Sequence, residues 1–253
     1  MKRVLVIDSG VGGLNVLREL QKRCGCQNYL YFADSEYFPY GVKSKAEVQL
    51  RVHKILSAFS DVVGMCVLAC NTASSVFDEK CRAEYAFPIV DVIEPTVKDA
   101  AALTNTKHVV VLSTELTASC GVYERLFALN GIQARSVACP KLVTLAENRQ
   151  PLKACEDALF DVVKEVLQDN QSDVVVLGCT HFDWFIDKLR NEVGDSRHVV
   201  SSALSAAKQC QVLLQSVCPT TSNGGSTIYL TSSKKHTVYN FSQHDVPFKL
   251  FSI

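Results

Sequence analysis

Two cysteines in matching sequence contexts are the residues best suited to chemistry in this chain. Val67-Leu68-Ala69-Cys70-Asn71-Thr72 aligns with Val176-Leu177-Gly178-Cys179-Thr180-His181, and the two cysteines lie 109 positions apart. Each ends a short apolar run and precedes small polar residues, which is typical of a loop at the C-terminal end of a parallel strand. Two thiols that face one carbon from opposite sides can remove a proton from one face and deliver one to the other. The pair therefore predicts an active site that inverts a stereocentre.

Both cysteines precede the expected start of a helix. A helix N-terminus lowers the pKa of a thiol from about 8.5 toward neutrality, so we expect thiolate to be available as a base. His181, two residues after Cys179, can exchange protons near neutral pH. A single cysteine at a strand end is more often a core residue than a catalyst, but the matched pair favours catalysis.

A glycine-rich segment, Asp8-Ser9-Gly10-Val11-Gly12-Gly13, follows the first expected strand and opens a helix. Its glycines do not have the spacing of a dinucleotide fingerprint. Two interpretations remain open: small residues that let an anionic ligand approach a helix N-terminus, or a tight turn capped by Ser9. Asp8, at the strand end, is expected beside a catalytic group.

Two further segments are weaker candidates. Asp34-Ser35 and Pro39-Tyr40-Gly41 form a polar loop that is either part of a pocket or a surface turn. Glu147 ends an apolar run that starts at Cys139, which would bury it partly and raise its pKa, although an exposed glutamate is the usual case.

Strand-like and helix-like segments alternate along the chain, which predicts parallel, doubly wound sheets. Strands are expected at about 4–7, 29–32, 62–69, 89–93, 108–112, 173–177, 199–200 and 227–230. Helices are expected at about 14–23, 45–59, 73–85, from 94 onward, 119–129, 151–168, 184–193 and 203–214.

A second internal similarity accompanies the cysteine pair. Val4-Leu5-Val6-Ile7-Asp8-Ser9 resembles Val109-Val110-Val111-Leu112-Ser113-Thr114 at an offset of 105 positions, close to the offset of the cysteines. Two similarities at nearly one offset suggest a duplicated α/β unit with a boundary near residues 95–107. The alternative is that any two buried strands look alike.

Composition excludes several classes of protein. The chain has 253 residues, 47% of them hydrophobic, and its 26 basic and 26 acidic residues give no net charge. Nothing global therefore favours nucleic acid or a membrane surface, although a local basic pocket remains open. The apolar run before Asp8 is too short for a signal peptide and no segment could span a membrane, so we expect a cytoplasmic protein.

Eleven cysteines is a high count for a chain of this length. Without a secretion signal we expect these thiols to be reduced. Cys24-Gly25-Cys26 and the wider Cys66/Cys70 pair lack a matching second pair of zinc ligands, so we expect no metal site.

Six short motifs together resemble the cofactor-independent glutamate racemases, over most of the chain. They are 8–14 (DSGVGGL), 31–34 (YFAD) with 39–41 (PYG), 70–74 (CNTAS), 92–95 (VIEP), 138–140 (ACP) with 145–147 (LAE), and 178–182 (GCTHF). The resemblance implies two flavodoxin-like α/β domains with pseudo-two-fold symmetry and a site between them. The domains would be residues 1–95 with a returning segment 205–253, and residues 96–204.

The resemblance also implies residue roles. Cys70 and Cys179 would be the two bases, with Asp8 assisting Cys70 and with His181 and Glu147 assisting Cys179. Substrate would be bound by Ser9, Pro39, Tyr40, Gly41, Asn71, Thr72, Thr114, Thr117 and Thr180. No pyridoxal phosphate or metal is implied. The activity would be interconversion of L- and D-glutamate, supplying D-glutamate for peptidoglycan, and a homodimer is one expected assembly.

Three positions depart from the family pattern. Ser113 precedes Thr114 where a glycine is usual, Ser201 stands where an aspartate is common, and Asp183 follows the Cys-Thr-His-aromatic motif where proline is common. Three other functions stay open: an aspartate racemase, a non-catalytic regulator with this fold, and a cysteine hydrolase. The hydrolase would leave the second cysteine motif unexplained.

Overall fold

The computed structural model describes residues 2–25, 27–147, 152–169, 171–217, 225–233 and 248–253. Within them, ten parallel strands form two sheets. The first sheet has the order β10-β9-β2-β1-β3-β4, and the second has the order β6-β5-β7-β8. Two parallel α/β units confirm the predicted fold class, while their pseudo-two-fold symmetry stays a prediction.

The bounds of the strands follow the apolar segments of the sequence. In the first sheet they are β1 (Arg3–Asp8), β2 (Tyr29–Ala33), β3 (Val63–Leu68), β4 (Ile89–Asp91), β9 (Thr227–Thr231) and β10 (Phe248–Leu250). In the second they are β5 (His108–Ser113), β6 (Gln133–Ala138), β7 (Val174–Gly178) and β8 (His198–Ser201). The central strands β1, β3, β5 and β7 are buried almost throughout, as continuous apolar runs in parallel sheets should be.

Helices cover both faces of the sheets. They are α1 (Leu14–Cys24), α2 (Lys45–Phe59), α3 (Asn71–Val76), α4 (Glu79–Arg82), α5 (Ile93–Leu103), α6 (Glu115–Ser119), α7 (Val122–Ala128), α8 (Pro140–Glu147), α9 (Leu152–Leu167), α10 (Ile186–Val193) and α11 (Ser202–Val217). Two 3₁₀ turns, at Tyr40–Val42 and Thr180–Phe185, complete the described elements.

One apolar core joins the two sheets. It contains inward residues of β1 and β3 from the first sheet, inward residues of β5 and β7 from the second, and side chains of α1, α5 and α11. The outer face of each sheet has a core of its own. The last described strands, β9 and β10, extend the first sheet next to β2. The exact domain limits stay a prediction.

Three predicted elements are shorter than expected because local caps interrupt them. The expected helix 73–85 divides at Asp78, whose carboxylate accepts from the Cys81 backbone and starts α4. The expected helix 119–129 divides at Gly121, which has a left-handed φ of 59°. The expected strand 89–93 stops at Asp91, whose carboxylate accepts from the backbone N–H groups of residues 93 and 94 and opens α5.

Four elements and the two 3₁₀ turns were not predicted. Helix α6 begins after Thr114, whose hydroxyl accepts from the Thr117 backbone. Strand β6 is an edge strand with alternating exposed residues, so it lacks the continuous apolar run that marked its neighbours. Helix α8 lies in the apolar run before Glu147, and its side chain at 147 lies outside the described residues. Strand β10 has three residues and depends on pairing with β9.

Candidate active site

The matched cysteines meet at one cavity between the two sheets. Cys70 follows β3 and Cys179 follows β7, and the cavity of about 60 Å³ has walls from the C-terminal ends of strands in both sheets. About 10–15 Å³ holds one water molecule, so this cavity suits a small molecule such as an amino acid. It is lined by Ser9, Phe38, Pro39, Tyr40, Gly41, Val42, Cys70, Asn71, Thr72, Thr114, Glu115, Pro140, Val143, Thr144, Cys179, Thr180 and His181.

Cys70 is deeply buried on its side of the cavity. It is the residue before α3, and its thiol points to the Ser9 hydroxyl with an Sγ–Oγ distance of 3.8 Å. Burial, followed by the negative charge of Asp8, raises the pKa of the Cys70 thiol to about 12. The expectation of a lowered pKa is therefore wrong for Cys70. The partial charge at the start of a six-residue helix is outweighed by desolvation and by the carboxylate.

Cys179 has a different neighbour. Its sulfur lies 3.7 Å from Nδ1 of His181, and the Cys179 carbonyl accepts from the Phe182 backbone within the 3₁₀ turn 180–185. The His181 ring is enclosed by Phe38 on the cavity side and by Trp184, whose ring meets it edge-on at 5.4 Å. The imidazole is therefore fixed next to the thiol, in a position to exchange a proton with it.

Asp8 connects the two halves from behind the cavity. It is fully buried, accepts from the Gly10 backbone at 2.9 Å, and accepts from the Thr180 hydroxyl at 3.2 Å. It does not line the cavity. Its charge raises the pKa of Cys70, which places it near that thiol, while its hydrogen bond positions the residue that follows Cys179.

Asn71 is also held from the opposite unit. Its amide nitrogen donates to the Tyr123 hydroxyl at 2.8 Å, and its amide oxygen accepts from the Ser202 hydroxyl at 3.3 Å. Tyr123 is fully buried in α7, and Ser202 begins α11. These bonds fix the residue after Cys70 against α7 and the start of α11.

Three threonines form a buried hydroxyl cluster across the cavity. Thr72 and Thr114 are 3.0 Å apart at their hydroxyls, and the Thr114 hydroxyl donates to Thr117 at 2.9 Å. Thr72 and Thr114 line the cavity, whereas Thr117 lies behind them and is only 1% exposed. Thr117 therefore supports the wall instead of forming it.

The loop with Tyr40 is anchored by a buried ion pair. The Tyr40 hydroxyl donates to Asp34 at 2.6 Å, and Arg51 donates to both carboxylate oxygens of Asp34, at 2.6 and 2.8 Å. The Arg51 guanidinium also stacks 4.0 Å above the Tyr37 ring. Bidentate pairing makes this a rigid support for the part of the loop that lines the cavity.

Two glycines let the two units approach closely. A Cβ at Gly12 would stand 2.4 Å from Oγ1 of Thr180 and 2.9 Å from Nδ1 of His181. A Cβ at Gly41 would stand 2.8 Å from Cβ of Thr114. The small residues of the glycine-rich segment thus accommodate protein side chains here. Ser9 is not a helix cap, because the residue before α1 is Gly13 and it has no side-chain cap.

The structure brings together eleven of the predicted site residues around one cavity, and places Asp8 and Thr117 behind its wall. The side chain of Glu147 lies outside the described residues. Sequence reasoning missed six lining residues: Phe38, Val42, Glu115, Pro140, Val143 and Thr144. Positions 140, 143 and 144 have the spacing of one helix face, a signal that was present in the sequence.

The described residues contain no group of three or more His, Cys, Asp or Glu side chains placed to hold a metal ion. In the same part of the chain, no helix combines the length and the apolar character that crossing a bilayer requires.

Comparison with known proteins agrees with this geometry. A family model described as Asp/Glu/Hydantoin racemase matches residues 5–210. The chain belongs to this racemase family. The resemblance read from the six motifs is thereby confirmed.

Several relatives in the family are named glutamate racemase. One from Bacillus cereus is 33% identical over 215 residues, which is 83% of this chain and 79% of the relative. A glutamate racemase isoform from Bacillus anthracis has a TM-score of 0.89 at 26% identity, over 100% of this chain and 97% of that one. The Escherichia coli glutamate racemase in complex with L-glutamate and an activator has a TM-score of 0.84 at 28% identity, over 100% and 99% of the two chains.

Proposed function

We propose that this protein interconverts L- and D-glutamate by two-base proton transfer at Cα, with Cys70 and Cys179 as the bases. The observation that carries the proposal is the presence of both thiols in one small cavity, each contributed by a different sheet. Racemase relatives named for glutamate, and the Escherichia coli structure with L-glutamate bound, support the choice of substrate.

The reaction balances with the two thiols alone. One cysteine, as thiolate, takes the α-proton and becomes a thiol, which leaves a carbanion at Cα. The other cysteine, as thiol, gives its proton to the opposite face and becomes a thiolate. The enantiomer formed differs from the substrate only in configuration, and the reverse reaction uses the two cysteines in exchanged roles.

Formation of the first thiolate needs a compensating charge, because burial and the charge of Asp8 raise the pKa of Cys70 and favour its protonated form. The ammonium group of the substrate adds a positive charge beside the thiols, which favours the thiolate form. On the other side, His181 accepts a proton from Cys179 or returns one to it, across the 3.7 Å contact.

The carbanion must be stabilised by groups already in place. The first N–H groups of α3 have no acceptor within the helix and lie at the cavity wall next to Cys70. The hydroxyl of Thr72 at the cavity wall adds a donor for a carboxylate, while the hydroxyls of Thr114 and Thr180 donate to Thr117 and Asp8 and hold the wall in place. Because these donors are fixed by bonds across the two units, they need little reorganisation when charge develops at Cα.

The remaining features of the function follow from this proposal. The chemistry requires no pyridoxal phosphate or metal, because proton transfer is carried out by side chains. D-glutamate supply for peptidoglycan, a cytoplasmic location and a homodimer stay predictions. Sedimentation equilibrium would test the last of these.

The deciding experiment is incubation of the purified protein with L-glutamate or L-aspartate in D₂O, without added cofactor. We expect loss of optical rotation together with deuterium at Cα for glutamate only. Turnover of aspartate instead would identify an aspartate racemase, and absence of exchange with either would identify a non-catalytic member. A covalent acyl-enzyme, detected by mass spectrometry, would indicate a cysteine hydrolase.

A further inference from the structure

Ser74 lies four residues after Cys70, and its contacts join the chain on both sides of that thiol. Its backbone N–H donates to the Cys70 carbonyl at 2.9 Å, in the first turn of α3. Its hydroxyl donates to the carbonyl of Leu68, the last residue of β3, at 3.0 Å. The loop that leads from the strand to the helix, and that carries Cys70, is therefore closed by one buried serine.

The same hydroxyl accepts from the backbone N–H of Val92 at 3.4 Å. Val92 is the residue before α5, the helix that follows β4 of the first sheet and leads to β5 of the second. Leu68, Ser74 and Val92 are all buried, and buried backbone groups in folded proteins are normally paired. The Ser74 hydroxyl thus connects the Cys70 loop to the start of a helix that joins the two units.

The start of α5 is itself fixed by a network of ion pairs. One carboxylate oxygen of Asp91 accepts from the backbone N–H groups of residues 93 and 94, at 2.7 and 2.9 Å. The other oxygen accepts from Arg82 of α4, whose guanidinium also donates to the Glu94 carboxylate at 2.9 Å. Because charge-assisted bonds hold the residues on both sides of Val92, its N–H is presented to Ser74 in one position.

The second cysteine is supported in a different way. The position four residues after Cys179 is Asp183, which lies in the 3₁₀ turn 180–185 instead of an α-helix. The Cys179 sulfur has His181 as its neighbour at 3.7 Å. Loss of the Ser74 hydroxyl should therefore displace the Cys70 thiol and leave the Cys179 thiol in place.

We propose that Ser74 is a positioning residue for Cys70, and that it sets the place of this thiol relative to the helix that connects the two units. The inference rests on the racemase function proposed above. Ser74 lies outside the cavity lining and acts only through the backbone of the Cys70 loop. Arg82 acts one step further away, because it holds the residue that precedes Val92.

The test compares wild type with Ser74→Ala, Ser74→Thr, Arg82→Gln and the Ser74→Ala/Arg82→Gln double variant. Ser75→Ala is the matched control for the serine, because the Ser75 hydroxyl donates to the Thr72 carbonyl at 2.8 Å within the same helix. Lys80→Gln is the control for the arginine, because Lys80 is an exposed cation of the same short helix α4.

Two quantities are measured for each variant. The first is the pair of constants kcat and KM for glutamate racemisation. The second is the ratio of the alkylation rates of Cys70 and Cys179 by iodoacetamide, followed by peptide mass spectrometry. Both thiols are 5% exposed, so each serves as the internal reference for the other.

We expect Ser74→Ala to lower kcat about tenfold with little change in KM, because a small displacement of a reacting group is costly and Ser74 does not line the cavity. The alkylation ratio should rise at least about threefold in favour of Cys70, since a loosened loop opens more often. Ser74→Thr keeps the hydroxyl and should restore both quantities.

Arg82→Gln should change both quantities in the same direction, by about twofold to threefold. The double variant should be close to Ser74→Ala alone, because Arg82 acts through the bond that Ser74→Ala has already removed. Ser75→Ala and Lys80→Gln should match wild type.

Wild-type kcat and an unchanged alkylation ratio in Ser74→Ala would overturn the positioning role. Equal acceleration of both thiols would overturn it as well, because it would indicate general loosening of the fold. The alkylation ratio does not require turnover. If wild type fails to racemise glutamate, the proposed function fails, while the ratio still decides whether Ser74 positions Cys70.

Discussion

Cys70 and Cys179 end matching strands of the two sheets, but the segments that follow them fold differently. After Cys70 the chain enters the α-helix α3, and the thiol contacts the Ser9 hydroxyl at 3.8 Å. After Cys179 it enters a 3₁₀ turn that places an imidazole 3.7 Å from the sulfur. The Cys179 thiol therefore has a proton-exchange partner beside it, whereas the Cys70 thiol has a neighbouring hydroxyl and the nearby negative charge of Asp8.

This difference shows how two parallel α/β units can supply two unequal halves of one site. The backbone position of each thiol comes from the shared strand–loop architecture, and the chemical environment comes from the residues after it. The halves are then joined by polar contacts across the cavity, through Asp8 with Thr180 and through Thr72 with Thr114. The comparison predicts that the two cysteines are equally necessary but respond differently to changes around them.

Replacement of either cysteine should have the largest effect. Cys70→Ala or Cys179→Ala should lower racemisation by at least roughly 10²- to 10⁴-fold, the usual contribution of a general acid or base. Either variant should still allow elimination from a suitable analogue that needs one base only. Cys120→Ala, at a partly exposed free thiol, is the control. Full racemase activity in Cys179→Ala would contradict the two-base mechanism.

Gly12→Ala should have the next largest effect on activity, because it removes the space that lets the two units approach closely. The new Cβ would meet Oγ1 of Thr180 at 2.4 Å and His181 at 2.9 Å, so the Cys179 turn must move. A displacement of about 1 Å can cost roughly 100-fold in rate. We expect kcat to fall by this order while circular dichroism stays unchanged. Wild-type kcat in Gly12→Ala would show that the turn tolerates movement.

Asp8→Asn should increase the reactivity of the Cys70 thiol without an equal change at Cys179. Burial is the larger cause of the raised pKa of Cys70, but the Asp8 charge adds to it, so its removal lowers that pKa. The fraction of Cys70 present as thiolate at pH 8 should increase up to about tenfold for each unit by which its pKa falls. Alkylation of Cys70 should become faster by the same factor. Racemisation should fall because Thr180 loses its charged acceptor. Equal acceleration of Cys70 and Cys179 would contradict a specific effect on Cys70.

The sequence allowed the parallel α/β class and most strands to be predicted because buried parallel strands are continuous apolar runs. It also predicted most of the cavity, since loops after such strands meet at one edge of a sheet. The pKa of Cys70 was not predictable, because the deciding quantity is burial by residues distant in sequence. Residues 140, 143 and 144 have helical spacing that the sequence does show, but the spacing alone does not indicate that this face of the helix lines the cavity.

Some sequence-based predictions of helix bounds were wrong because of a single residue within the segment. The helix expected at 73–85 stops after Val76 because a short polar residue, Asp78, offers a new cap in the middle of a helical pattern. Such competition depends on which backbone groups are free in the folded chain, and a periodicity count does not contain that information.

Asp183→Asn should change stability as well as activity. Burial raises the pKa of Asp183 in the folded protein to about 7, above the usual value of an aspartate, so the folded protein retains a proton that the unfolded chain has released. The free energy of unfolding therefore falls as pH rises from about 4 to 7, by up to about 1.4 kcal/mol per pH unit. Urea titrations should show that the variant is more stable than wild type at pH 8 and similar at pH 4. A less stable variant at pH 8 would contradict the raised pKa.

Thr117→Val should have the smallest effect and would test whether the hydroxyl cluster supports both halves equally. Thr117 lies behind Thr72 and Thr114, which remain bonded to each other at 3.0 Å when the Thr117 hydroxyl is removed. The variant loses the bond from Thr114 at 2.9 Å and the longer bond to Thr72 at 3.4 Å. Because a buried hydrogen bond contributes about 1 kcal/mol and the longer one less, we expect KM for glutamate to rise about fivefold to tenfold with kcat nearly unchanged. Thr117→Ser keeps the hydroxyl and should restore KM. A loss in kcat as large as that in Gly12→Ala would mean that Thr117 is part of the catalytic wall, and that the cluster positions Cys70 as strictly as the turn positions Cys179.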